Sequence, residues 1–177
     1  MERSGIEFEK LAARPLALFD KQWALLTAGD FDAGRYNCMT ISWGSIGTMW
    51  RRPFVQVVVR DTRYTYGFME EFETFTVSWF PEKYRPALEL LGTKSGRDGD
   101  KISESGLTPI PAREVAAPAF AEAELVLSCR KIFFEDMRPE RFLDPSIEQH
   151  YTRKDYHRMY FGDVLAVDGT DAYRIEA

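Results

Sequence analysis

The sequence predicts a mainly β protein: an antiparallel barrel of about six strands with a few short helices at its edges. Strand-like runs make up most of the apolar segments, they follow one another with hairpin-type punctuation, and the helical periodicities between them are short. A chain of 177 residues can bury its own core without disulfides or metals; that length predicts one domain, or at most two small ones, and a single domain over residues 1–177 is expected.

The elements follow in order. Trp23 to Ala28 (WALLTA) is an apolar run ending at Gly29-Asp30, and the turn residues of Gly29 to Tyr36 (GDFDAGRY) predict a hairpin. In Cys38 to Trp43 (CMTISW), Thr40 and Ser42 alternate with Met39, Ile41 and Trp43, a strand with one polar face. Gly44, Gly47 and Pro53 are expected to mark a turn. Phe54 to Val59 (FVQVVV) is β-branched and nearly all apolar, which predicts a buried central strand.

Tyr64, Phe68 and Phe72 recur at i+4 and predict a short helix, and Phe75 to Phe80 (FTVSWF) reads as a strand. A helix starts at Pro81, with Tyr84, Ala87, Leu88 and Leu91 on one face and Gly92 as its expected C-cap. Gly92 to Ala117, rich in Gly, Pro and charge, reads as a long surface excursion. Ala123 to Phe134 and Tyr160 to Val167 complete the strands.

Composition excludes several classes. Lys+Arg 23 against Asp+Glu 28 gives 23 − 28 = −5, a poor match for general nucleic-acid binding, which needs a basic surface. Two separate cysteines, Cys38 and Cys129, make neither a disulfide framework nor a zinc cage and fit a reducing compartment. No apolar run approaches the roughly 20 residues that span a bilayer. The N-terminus (MERSGIEFEK) has no apolar signal-peptide region. The expectation is a cytoplasmic protein with no membrane partner.

Conventional catalytic patterns are missing. The histidines, His150 and His157, stand in no HExxH pattern and near no cysteine, so no metal is expected. There is no GxSxG elbow, Walker A loop or GxGxxG fingerprint. Cys38 has no histidine near it in sequence and reads as a small buried hydrophobe, with a reactive thiol as the alternative.

Polar clusters remain. In Asn37-Cys38-Met39-Thr40-Ile41-Ser42-Trp43-Gly44, alternating polar side chains run into glycine, which suits a backbone edge beside a flat ligand or simply a solvated edge strand. In Arg60-Asp61-Thr62-Arg63-Tyr64-Thr65-Tyr66, arginine forks, hydroxyls and a helix start suit a phosphate, or else a helix with surface arginines. Thr93 to Lys101 (TKSGRDGDK) gathers donors and glycines after a helix, as an anion-closing loop or a solvated one. His150 to Tyr160 mixes rings and cations, as a stacking segment or an amphipathic surface strip.

Taken in order, NCMTISWG (37–44), RDTRYTY (60–66), FTVSWFPEKY (75–84), TKSGRDGDK (93–101) and HRMYFG (157–162) resemble the flavin reductase-like family, its flavoredoxin-type group in particular. The resemblance spans Trp23 to Val167. It implies a six-stranded Greek-key split β-barrel that binds FMN and forms a homodimer with one FMN at each end of the interface. It further implies that Asn37, Met39, Thr40, Ile41, Ser42 and Trp43 lie along the isoalloxazine ring. Arg60, Arg63 and Thr65, with neighbouring Tyr64, would serve the ribityl phosphate region. Lys94, Ser95 and Lys101 would come from a loop approaching the flavin, and His157 and Tyr160 from a late segment of the same or the partner subunit. Three positions depart from the family pattern: Cys38 where a small hydroxyl residue is expected, Asp61 beside the phosphate region where a neutral residue is expected, and Asp163 where Glu is expected.

The resemblance implies an FMN-dependent oxidoreductase. NAD(P)H would deliver a hydride to flavin N5, and electrons would pass to a second flavin, a partner monooxygenase or another acceptor. That step obliges no acid–base side chain, with His157 the one candidate. The rivals are an FMN-binding electron carrier that does not oxidise NAD(P)H, and a barrel that has lost flavin. The retained Arg60, Arg63, Lys94 and Lys101 count against the last.

Overall fold

The fold is described from a computed structural model over residues 2–175; Met1, Glu176 and Ala177 lie outside the described residues. Ten strands and three α-helices follow in order: β1 (Ser4–Gly5), β2 (Ala24–Asp30), β3 (Arg35–Ile41), β4 (Gly44–Met49), β5 (Arg52–Arg60), α1 (Tyr64–Glu71), β6 (Thr74–Trp79), α2 (Arg85–Thr93), α3 (Lys101–Ser105), β7 (Pro109–Ile110), β8 (Ala119–Phe120), β9 (Leu125–Asp136) and β10 (His157–Gly169). The main sheet runs β3-β2-β6-β9-β10-β5-β4, wholly antiparallel, with β1 added to β10.

The two ends of this path, β3 and β4, are joined by only Ser42 and Trp43. Two residues cannot span a flat sheet of this width, so the sheet curls until its edges approach. The result is a split barrel. Its interior is filled by inward side chains such as Met39, Ile41, Val57, Phe75, Val77, Trp79 and Leu127. A second apolar layer lies outside the barrel, where Cys38, Leu25 and Phe80 pack with Leu88 and Leu91 of α2, Ile102 of α3, and Leu107 and Phe120 beyond it.

Four expectations need correction. The Gly44–Pro53 stretch is not a turn: Gly44–Met49 is strand β4, paired with β5. A Cβ on Gly44 would lie 2.5 Å from Phe19, and one on Gly47 would lie 3.1 Å from Phe54, so these glycines admit rings against the strand. The turn falls instead on Trp50 and Arg51, both at positive φ (53° and 59°).

The helix expected to start at Pro81 begins as a short 3₁₀ turn and then α2, which runs past Gly92 to Thr93. Gly92 faces Thr40, which a Cβ would approach to 3.1 Å. The 92–117 excursion carries α3 and β7, and its Ile102, Leu107 and Ala117 are buried. Its charges had masked those anchors. Finally, the polar face of β3 is covered, because Thr40 Oγ1 donates to the Leu88 carbonyl of α2 at 2.5 Å.

Candidate functional site

A groove opens where the barrel is split. β3 stops at Ile41, and Ser42-Trp43 crosses the gap toward β4. Met39 to Trp43 form one wall, Val58 and Arg60 of β5 the other, with Arg63 and His157 completing a space of about 480 Å³. A second space of about 430 Å³ continues it, between Thr62 to Thr65 on one side and Thr93 to Arg97 on the other, with Lys101 at its base. Met39 and Arg63 line both, so the two are halves of one groove.

The local folding of each wall follows from its sequence. β5 ends at Arg60, and a turn closed by Arg63 N–H to the Arg60 carbonyl at 3.0 Å launches α1. The N-terminus of α1 has no side-chain cap, and its first residues, Tyr64 and Thr65, line the second half of the groove. Asn37 Nδ2 donates to Thr65 Oγ1 at 2.8 Å and pins β3 to α1. The loop after α2 turns on Ser95, whose Oγ accepts the Arg97 amide at 3.2 Å. It crosses Asn37 so closely that a Cβ at Gly96 would stand 2.4 Å from Asn37 Oδ1.

The cations differ sharply in their partners. Arg60 is tied up: Nη1 donates to Asp155 at 2.7 Å, Nη2 to the His150 carbonyl at 2.8 Å, and its guanidinium lies 5.0 Å from the Tyr151 ring centre. Lys94 is matched by Glu104 at 2.6 Å. Arg63 donates to the Gly92 carbonyl at 3.0 Å, Arg97 to the Thr62 carbonyl at 3.4 Å and Lys101 to the Leu91 carbonyl at 2.8 Å. Among the described residues none of these last three has a carboxylate partner. Lys101 is only 4% exposed, and burial lowers its pKa first, with Arg63 pushing the same way. A buried ammonium held by one neutral carbonyl is costly on its own, and an anion beside it offsets that cost. The donor set of the second half therefore fits a phosphate group.

The first half is aromatic at its mouth. Trp43, 43% exposed, sits 5.4 Å from the His150 ring and 5.2 Å from the His157 ring. His157 Nδ1 shares a hydrogen bond with Tyr151 Oη at 2.8 Å. Burial, helped by Arg60, pushes the His157 pKa down to about 4, so the imidazole is neutral at neutral pH. Cys38 points the other way, into the outer layer, and burial pushes its pKa up to about 12.

The structure thus gathers Met39, Thr40, Ile41, Ser42, Trp43, Arg60, Arg63, Tyr64, Thr65, Lys94, Ser95, Lys101 and His157 along one groove. Asn37 supports the groove from behind as the Thr65 partner. Tyr160 falls elsewhere. It is buried in the barrel, and its hydroxyl donates to Glu70 at 2.5 Å, because three positions along β10 carry it to the face opposite His157. Val58, Thr62, Gly96 and Arg97 line the groove or its edge without having been singled out. Thr62, Gly96 and Arg97 lay inside blocks already quoted; Val58 sits in an apolar strand that carries no chemical signal.

The sequence matches the family described as Flavin reductase like domain over residues 16–171. Solved structures share the fold. A protein from Shewanella baltica, titled an FMN-binding domain of flavin reductases-like enzyme, superposes with TM-score 0.68 at 18% identity, covering 95% of this chain and 77% of that one. Flavoredoxin of Desulfovibrio vulgaris gives TM-score 0.66 at 25% identity, covering 92% and 76%. An NADH:FAD oxidoreductase of Streptomyces globisporus gives 0.65 at 16%, covering 85% and 76%.

Proposed function

This chain belongs to the flavin reductase-like family, and from that premise we propose that it is an FMN-binding oxidoreductase, passing electrons from NAD(P)H through FMN to a flavin or protein acceptor. The reading treats the chain as one FMN-binding unit that works as a homodimer, with a monooxygenase or another redox protein as downstream partner. One observation carries it: Arg63 and Lys101, neither with a carboxylate partner among the described residues, converge with the uncapped start of α1 on one half of a groove whose other half is a strand edge.

FMN, when bound, supplies a ring that accepts a hydride and releases electrons singly or in pairs. The protein's share is binding and placement. Arg63 and Lys101 would hold the phosphate with Ser95 and the first amides of α1. Met39 to Trp43 would lie along the ring. His157 is uncharged at neutral pH, so it is a poor general acid there and is placed instead to accept or donate a hydrogen bond. Exposed rings at Trp50 and Phe133, 6.1 Å apart, support the dimer, since contiguous exposed aromatics mark interaction faces.

The likeness to flavoredoxin at 25% identity supports a second reading, an FMN electron carrier that does not oxidise NAD(P)H itself. Titrating the purified protein with FMN, then following NADH and NADPH oxidation at 340 nm with FMN present, separates the two. Binding with turnover supports the reductase, binding without turnover the carrier, and no spectral response to FMN, FAD or riboflavin defeats both.

A further inference from the structure

The two walls of the phosphate half touch one another. Thr62 and Tyr64 belong to the wall formed by the β5–α1 turn, Gly96 and Arg97 to the wall formed by the loop after α2. Arg97 reaches across: Nη1 donates to the Thr62 carbonyl at 3.4 Å, and its guanidinium lies 4.9 Å from the centre of the Tyr64 ring. Beside it, Gly96 lies close to the same wall, since a Cβ there would stand 2.9 Å from Tyr64 Cδ1. Arg97 and Gly96 thus bridge the two walls of the half whose Arg63 and Lys101 suit a phosphate.

We propose that the Arg97–Tyr64 closure sets which flavin the site accepts, by ending the groove after one phosphate. The proposal rests on the FMN-binding reading and adds a selection rule to it. A flavin mononucleotide ends in one phosphate and stops short of the closure. A flavin dinucleotide continues into a second phosphate, a ribose and an adenine, and these must displace Arg97 from Tyr64 and Thr62. Breaking a cation–π contact together with a hydrogen bond disfavours the longer ligand by about tenfold. Riboflavin, with no phosphate, does not reach this end.

The test is a set of dissociation constants for riboflavin, FMN and FAD, measured by fluorescence quenching on the parent, Arg97→Ala and Tyr64→Ala. The parent is expected to bind FMN about tenfold or more tightly than FAD. Arg97→Ala is expected to bind FAD about tenfold more tightly than the parent does, with riboflavin unchanged. The direction is decisive, because removing a cation can by itself only weaken a ligand with two phosphates. Tyr64→Ala, which keeps the charge, is expected to shift FAD the same way. A parent that binds FAD as tightly as FMN overturns the closure, and so does FAD affinity that stays level or falls in both variants. Failure of the parent to bind any of the three flavins removes the FMN reading itself, and the closure with it.

Discussion

Arg60 and Asp155, 95 residues apart in sequence, form an ion pair at 2.7 Å that fastens the connection between β9 and β10 to the end of β5. The His150 carbonyl takes a second guanidinium nitrogen, and Tyr151 lies under the charge. Arg60 is therefore a clasp at the mouth of the groove, with both terminal nitrogens engaged, while Arg63 faces both halves and has only a backbone carbonyl as its partner.

The two arginines should separate by ligand. Arg63→Ala is expected to weaken FMN by about tenfold to a hundredfold while leaving riboflavin nearly untouched, since only FMN carries the phosphate. Arg60→Ala is expected to weaken FMN and riboflavin alike by loosening the β9–β10 connection at the mouth of the groove. Calorimetric titration of both variants with both ligands measures this. A phosphate-selective loss at Arg60 would show that it leaves Asp155 for the ligand.

His157 gives the protein an acid-sensitive site. Its folded pKa of about 4 lies below the ordinary 6.5, so the unfolded chain binds a proton that the folded chain refuses. The contribution is fully present above pH 6.5 and is lost as pH falls from 6.5 toward 4. Urea unfolding at pH 7.5 and pH 5 is the measurement. The parent midpoint should fall more between them than that of His157→Gln, which carries no titrating group; equal falls would mean the imidazole is solvated in the native state.

Cys38 should be chemically silent. It is buried in the outer layer, its pKa is near 12, and Cys129 is buried as well. Ellman's reagent at pH 8 is expected to find no reactive thiol in the native protein and both after denaturation. Cys38→Ser should hold FMN within a few-fold of the parent. Stability should fall by roughly 1–3 kcal/mol, because the hydroxyl enters an apolar layer. A fast-reacting native thiol would contradict the packing.

The aromatic face should hold the dimer. Trp50 (57% exposed) lies 6.1 Å from Phe133 (44% exposed), which lies 5.6 Å from Phe161. Phe133→Asp would place a charge in the middle of this face. Sedimentation equilibrium is expected to give a dimer for the parent and a monomer for the variant at micromolar concentration. A variant that stays dimeric places the interface elsewhere.

Local chemistry decided much of this protein from sequence alone. FVQVVV could be a strand because β-branched side chains favour extended backbone, and its companions Trp23 to Ala28 and Phe75 to Phe80 are apolar at strand length. The ordered polar blocks also marked which stretches would meet, and β3, the β5–α1 turn and the loop after α2 do line one groove. Tertiary structure decided what depends on distant partners. Gly44 and Gly47 looked like turn residues because glycine breaks structure locally; only the rings of Phe19 and Phe54 lying against them explain a strand. Tyr160 was separated from His157 by strand alternation, which a motif does not reveal. The cations were equal as letters, and pairing made them unequal: Asp155 claims Arg60, Glu104 claims Lys94, and Arg63 and Lys101 keep only carbonyl partners. A side chain's charge is written in the sequence, but whether that charge is already matched depends on what the fold brings within a few ångströms of it.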